Sequence, residues 1–478
     1  MEVGRMVRRS RLRVLSSVSW MLHKARVTPR VILAVALLAI GVATGVVVGT
    51  GGAKPAVVTI GLVALAEAIG VLGLNRVLLV AWLFAYFIPP EISIHGTKVS
   101  IGDILSVIII PVYLSNCVLQ RPRFERFERS WLFYFGAMGL SLVSGWAVMG
   151  LPASVLIGSA LRLVRVLLIV VAARLLPWEE VGSRLTLWRI VEGLTLIAVS
   201  IGAVQFHNSA DASIGQYYAI NGVQYVRGGG YFGNAGAFGN FCAFVAVLCI
   251  YLITNRLGFA DLMFACLTFG MSVLGVVISD SRGALIALTV GAVIVLGLRV
   301  AHILRAGLVI GAVTFAAGAV LNHVKHGFLE YYVGNRLQHT LAKFHSVVGV
   351  NETLGGRLTL WRNTLLLLFR HPAAWLFGLG YKSLPVLGTL LGIHVFTDNN
   401  YLQAFAEGGL VGIIAFLALL LTLYLTSRGN ALLLGVFGCL LISMVTADAL
   451  TFWRSLALIM VMYEGVRRGE GRHARARV

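Results

Sequence analysis

The chain has 478 residues, of which 58% are hydrophobic and 12% charged, and it carries a net charge of +20. Soluble domains carry about 25% charged residues, so this composition excludes an ordinary soluble enzyme. The basic excess is clustered beside apolar runs, and the positive-inside bias of a membrane protein accounts for it without nucleic acid as a partner.

Apolar runs of roughly 18 residues or more recur along the length, which predicts an all-α polytopic membrane bundle of about 12–14 transmembrane helices. Residues 1–30 form a basic segment, with Arg5, Arg8, Arg9, Arg11, Arg13, Lys24, Arg26 and Arg30 against Glu2, expected on the cytoplasmic face. Its length argues for a retained first helix and against a cleaved signal. Spans are expected over 31–48, 56–74, the stretch up to Pro89-Pro90, and 101–116, with 91–100 as an outer loop. After the Arg-rich stretch 120–130 come spans over 131–149 and 152–173. The second holds Arg162 and Arg165, spaced i, i+3 on one helix face; charges at membrane depth are functional candidates by default.

Spans follow over 187–205, 236–254, 259–278, 284–299 and 304–321, interrupted by an outer loop at 207–234 and a tight turn at Ser279–Gly283. That makes 31–321 one bundle of about 11 spans. A large outer loop over 322–400 is expected to carry short amphipathic helices, followed by C-terminal helices within 401–466 (403–426, 430–446, 452–466) and a basic tail, 467–478. Alternation from the basic N-terminus puts the Arg-rich segments 120–130, 174–189, 299–305 and 467–478 on one side. Both termini are then cytoplasmic and the large loop faces outward. The cysteines, Cys117, Cys242, Cys249, Cys266 and Cys439, all lie in or at the ends of apolar runs, as buried small hydrophobes do.

Polar groups able to do chemistry accumulate over 351–410. The outer loop holds His323, His326, His339, His345, His371 and His394, but none shows the i, i+4 zinc pattern with its glutamate. Neither a metal nor a cofactor is expected. Arg227, Arg282, Arg357 and Arg362 all fall on the predicted outer face. Arginine suits phosphate because its planar fork binds two oxygens and stays charged, so a lipid diphosphate is a suitable ligand; snorkelling or capping is the structural alternative for each. Asp398-Asn399-Asn400-Tyr401 precedes a span, where Asp or Asn can cap the helix and Tyr can sit in the interfacial belt. A carboxylate there also suits a general base for a sugar hydroxyl.

Taken in order, these pieces resemble the O-antigen ligase and O-antigen polymerase superfamily of bacterial envelope glycosyltransferases. They are Arg227–Asn240 (RGGGYFGNAGAFGN), Ser281-Arg282-Gly283, Gly356-Arg357 with Trp361, Pro372 with Gly378 and Gly380, Asp398–Leu402 and Glu407–Gly412. The resemblance extends over residues 225–425. It implies a metal-independent, inverting transfer from an undecaprenyl-diphosphate-linked glycan on the outer face of the cytoplasmic membrane. Arg227, Arg282 and Arg357 match the arginines expected to hold the diphosphate, with Arg162, Arg165, Asn399 and Tyr401 as further candidates. Arg282 and either Asp398 or His394 are the catalytic candidates. Ligases that act on a lipid A-core acceptor usually show His-Asn where this chain has Asp398-Asn399, which favours a polymerase, with a chain-length-regulating co-polymerase as a possible partner. A glycan-lipid flippase is the alternative of another class.

Overall fold

The computed structural model describes residues 81–82, 85–86, 91–94, 97–100, 102–107, 109–110, 126–176, 184–208, 217–220, 223–230, 232, 234–255, 258–297, 312, 315, 319, 357–393, 395, 398–447, 449–450 and 452–475. The predicted spans over 31–48 and 56–74, nearly all of that over 304–321, the loop over 322–356 and His394 lie outside them.

The fold is a helical membrane bundle. Its helices are α1 (Arg126–Met149), α2 (Ala153–Leu175), α3 (Arg184–Asn208), α4 (Ala235–Thr254), α5 (Phe259–Ile278) and α6 (Arg282–Leu296). They continue as α7 (Arg357–Arg370), α8 (Ala374–Phe377), α9 (Leu384–Leu391), α10 (Asn400–Ser427), α11 (Ala431–Thr446) and α12 (Trp453–Arg475). Two short antiparallel hairpins decorate the connections: β1 (Glu91–Ile94) with β2 (Thr97–Ser100), and β3 (Tyr217–Ile220) with β4 (Val223–Val226). Among the described residues six helices are long and apolar enough to cross a membrane, and α6 and α11 are shorter apolar helices.

Helix α4 is the central element. Every side chain from Phe238 to Ile250 is buried, beneath α5, α6 and α11. Small residues let these helices approach closely, as expected where lipid supplies no hydrophobic drive between helices. A Cβ on Gly291 of α6 would fall 2.6 Å from Val247 and 3.1 Å from the Gly435 carbonyl. Peripheral helices expose their apolar residues instead. Leu132, Phe133, Leu140, Val143 and Trp146 of α1 face outward, as do Ile157, Leu161 and Val164 of α2.

Helix α10 departs from the straight span expected over 403–426. Gly409 has φ 65° and ψ −159°, which breaks the helix. In a straight helix Tyr401 and Phe416 would lie about 22 Å apart along the axis. Their rings are instead 5.6 Å apart, edge to face, and a Cβ on Gly412 would sit 2.8 Å from the Ala404 carbonyl. The first nine residues of α10 therefore fold back beside the next two turns. The pair Gly408-Gly409 permits this, because only glycine tolerates the backbone at 409 without strain.

Helix α12 extends past the predicted 452–466. It is buried from Arg454 to Val466 and remains helical to Arg475.

Candidate functional site

The turn that leaves β4 lies across the C-terminal end of α5. Arg227 Nε donates to the Ser279 carbonyl at 2.8 Å, and its Nη2 to the Asp280 carbonyl at 3.1 Å. The Gly228 amide donates to Ile278 O at 2.9 Å. A cation here meets the carbonyls that a helix end leaves unsatisfied, and the negative end of its dipole. Asp280 then takes a left-handed conformation, φ 51°, and Ser281 caps α6 by accepting from the Ala284 amide at 3.3 Å. Arg282 is the exposed first residue of that helix. Arg227 is thus bonded to the short turn that ends at Arg282. Gln205 of α3 secures it from behind, accepting from Gly229 N at 3.2 Å and donating to Gly230 O at 2.9 Å.

The second half of the site is the start of α10. Asn399 is the cap, its Oδ1 accepting from Tyr401 N at 2.9 Å and Leu402 N at 3.1 Å. Capping is therefore done by Asn399, and Asp398 turns to Arg357, with Nε and Nη2 each 3.4 Å from Asp398 Oδ2. Arg357 opens α7, one turn before Trp361, whose indole Nε1 is buried without a hydrogen-bond partner among the described residues. Tyr401 donates its hydroxyl to Leu441 O at 3.2 Å, which ties the folded-back segment to α11. Below it runs a buried polar ladder. Asn400 Oδ1 accepts from Leu450 N at 3.2 Å, Asn400 Nδ2 donates to Gln403 Oε1 at 3.4 Å, and Gln403 Nε2 donates to Glu407 Oε2 at 2.8 Å.

The break in α10 is held from outside by Gly378-Leu379-Gly380. Leu379 N donates to Ala406 O at 3.0 Å and Gly380 N to Glu407 O at 3.2 Å. Ser141 and Ser144 of α1 bond the Glu407 and Gly378 carbonyls. A Cβ on Gly378 would fall 2.0 Å from the Glu407 carbonyl oxygen, so no side chain fits there.

The α11–α12 connection joins the two halves. Gly283, beside Arg282, packs so tightly on Thr446 at the end of α11 that an added Cβ would lie 2.1 Å from its hydroxyl. Leu450 bonds Asn400 as above. Phe452 stacks on Phe232 of the arginine turn at 6.3 Å, and the Arg454 guanidinium lies 5.3 Å from the centre of the same ring. Arg454 is only 2% exposed. It is not among the candidates that the sequence offers, although a charge opening an apolar run is itself a signal. Gln205 carried no comparable signal, since its partners are backbone groups distant in sequence.

Arg162 and Arg165 have different surroundings. Arg162 is exposed, whereas Arg165 pairs with Asp103 at 2.9 Å. Around that pair Tyr86 bonds Asp103 at 3.4 Å and Ser106 at 2.9 Å, and Trp82 Nε1 donates to Ser106 at 2.8 Å. Pairing with a carboxylate is how a membrane arginine is commonly accommodated. Among the described residues no group of three His, Cys, Asp or Glu converges as a metal site would.

The fold is that of a polytopic helical membrane protein, and the polar groups gathered at these helix ends form a candidate site. The family model described as O-antigen ligase matches residues 267–417, about a third of the chain, and over that segment the chain is similar to that family. The match contains Arg282, Arg357, Asp398, Asn399, Tyr401 and Gly409; Arg227 and Arg454 lie outside it. No curated protein matches the chain.

Proposed function

We propose that this protein is a metal-independent, inverting glycosyltransferase that polymerises undecaprenyl-diphosphate-linked oligosaccharide on the outer face of the cytoplasmic membrane. The observation that carries this reading is the meeting of Arg357 with Asp398, at 3.4 Å, at the same end of the bundle as the Arg227–Arg282 turn. A diphosphate needs cations, and an acceptor hydroxyl needs a base beside them. Arg282 stands on the first turn of α6, where the helix N-terminus adds its own attraction for an anion. As the bond from the sugar's anomeric carbon to the diphosphate breaks, its electron pair leaves with the diphosphate, and Arg282 and Arg227 stabilise the growing charge. Asp398, oriented by Arg357, takes the acceptor hydroxyl proton as the new glycosidic bond forms. Asn399 and Tyr401 hold the start of α10 in place for this. Arg162, with its exposed side chain, and Arg165 are the more distant candidates for lipid contact, and His394 remains the alternative base.

In this reading both termini are cytoplasmic, and the loop over 322–400 supplies Arg357 and Asp398 from the outer side to a bundle formed by 31–321 and 401–466. A second reading is a ligase that passes the glycan to a lipid A-core or other acceptor; the matching family model fits both, and Asp398 in place of a histidine opposes the ligase. The test is a gel of lipid-linked and surface glycans from a deletion strain complemented with wild type, Arg282→Ala or Asp398→Ala. Single repeat units in the deletion strain, restored to long chains by wild type and by neither variant, support the polymerase. Long chains stranded on the carrier identify a ligase. Wild-type behaviour of both variants overturns the site and favours a transporter or a structural partner of an envelope assembly machine.

A further inference from the structure

Helices α7 and α8 bury one side and leave the other apolar and half-exposed. Thr364, Leu367 and Leu368 of α7 and Ala374 of α8 are buried. On the opposite side Leu366, Phe369, Trp375 and Leu376 are 42–49% exposed. Leu366 and Phe369 share a face by their i, i+3 spacing, and the Phe369 and Trp375 rings touch at 5.2 Å between centroids. Two exposed cations, Arg362 and Arg370, flank this patch on α7.

The position of the patch along the bundle says what covers it. The Leu376 carbonyl packs on the break in α10, where a Cβ on Gly409 would lie 2.6 Å from it. The next residue, Leu410, begins an outward stripe of Leu410, Ile414, Leu417 and Leu421, each at least half exposed, with the spacing of a helix facing lipid. From Leu410 to Ser427 the helix is about 27 Å long at ~1.5 Å per residue, close to the ~30 Å of a hydrocarbon core. Arg428 follows at its far end. Gly409 therefore marks one edge of the core, and α8 lies at that edge. Trp146 of α1, 63% exposed, stands at the same level. Its neighbour Gly145 packs against Gly380, where a Cβ would lie 2.9 Å from the Gly380 Cα. Tryptophan and arginine around an apolar patch are the composition of an interfacial helix.

We propose that the apolar face of α7 and α8 is seated in the bilayer interface, with Leu366, Phe369, Trp375 and Leu376 among the upper acyl chains and Arg362 and Arg370 at the phospholipid phosphates. The surface is continuous with the lipid-facing stripe of α10. Seated in this way, α7 carries Arg357 at a fixed depth relative to the membrane surface. The inference does not depend on the reaction assigned to the site.

The test uses the full chain in nanodiscs of phosphatidylcholine and phosphatidylglycerol, with bromine placed on the acyl chains near the headgroup or near the terminal methyl. The emission of Trp375 is the difference between wild type and Trp375→Phe. It is expected to lose most of its intensity with shallow bromine and much less with deep bromine. A second reporter, Leu366→Trp compared directly with wild type, gives the same reading if Trp375→Phe does not elute as a single folded species. Absence of quenching by either lipid overturns the proposal, because the face is then covered by protein, from this chain or a second copy.

Discussion

Arg357 and Asp398 lie 41 residues apart in the chain and meet at 3.4 Å. The contact joins the first residue of α7 to the residue just before the cap of α10. Both side chains are about one-third exposed, at 31% and 37%, so solvent screens the pair and its contribution to stability is below ~1 kcal/mol. In the proposed function this carboxylate is the base, held by its arginine at little energetic gain. Asp398→Asn is therefore expected to abolish long-chain glycan while shifting unfolding by less than ~1 kcal/mol. Thermal unfolding of the purified variant, run beside the glycan gel, decides this; a large loss of stability would assign the pair a structural role instead.

The break at Gly409 is a stronger structural commitment. Its φ of 65° and ψ of −159° fall in a region nearly confined to glycine, and a residue forced there costs about 1–3 kcal/mol. An added Cβ also meets the Gly378 amide nitrogen at 2.5 Å. Gly409→Ala should destabilise the protein by about 2 kcal/mol or more and release Tyr401 from Phe416. Melting temperature in detergent measures the first effect, and cross-linking between cysteines placed at 401 and 416 measures the second. Unchanged cross-linking in Gly409→Ala would mean the fold-back is set elsewhere.

The Gln403–Glu407 bond, 2.8 Å long and buried, makes a graded prediction. Glu407→Gln keeps an acceptor for the Gln403 amide and should be tolerated. Glu407→Leu leaves that buried donor unsatisfied, at a cost of about 1–3 kcal/mol. Unfolding of the two variants in parallel tests the order, and equal stability would show that the ladder contributes nothing.

Arg454 lies beneath the arginine turn, with its guanidinium 5.3 Å from the Phe232 ring. A cation over an aromatic face out of water contributes about 2 kcal/mol, and the planar guanidinium stacks where an ammonium does not. Arg454→Lys is expected to fold but to lose activity partially. Arg454→Met is expected to lower both stability and activity further. Activity of Arg454→Lys indistinguishable from wild type would show that only the charge matters.

The site was only partly legible along the chain. Arg227, Arg282, Arg357, Asp398, Asn399 and Tyr401 stood out because polar residues beside apolar runs are conspicuous. Their division of labour did not. Asp398 and Asn399 are equally good caps in principle; in the structure Asn399 bonds the helix amides and Asp398 faces Arg357. Arg165 drew notice as a membrane charge, yet its partner, Asp103, sits on a separate segment.

Hydropathy and charge patterning by themselves determined that this is a helical membrane protein, where most of the helices among the described residues lie, and which end-of-helix residues are polar. Those properties are local, because an apolar run long enough to cross a bilayer must become a helix to satisfy its own backbone. The tertiary structure alone decided that α10 turns back at Gly409, that Gly378-Leu379-Gly380 locks the break, and that Arg454 lies beneath Phe232. These depend on close approaches between segments far apart in the chain, which no local pattern records: one backbone passing where another lacks a Cβ, and one buried charge meeting a ring.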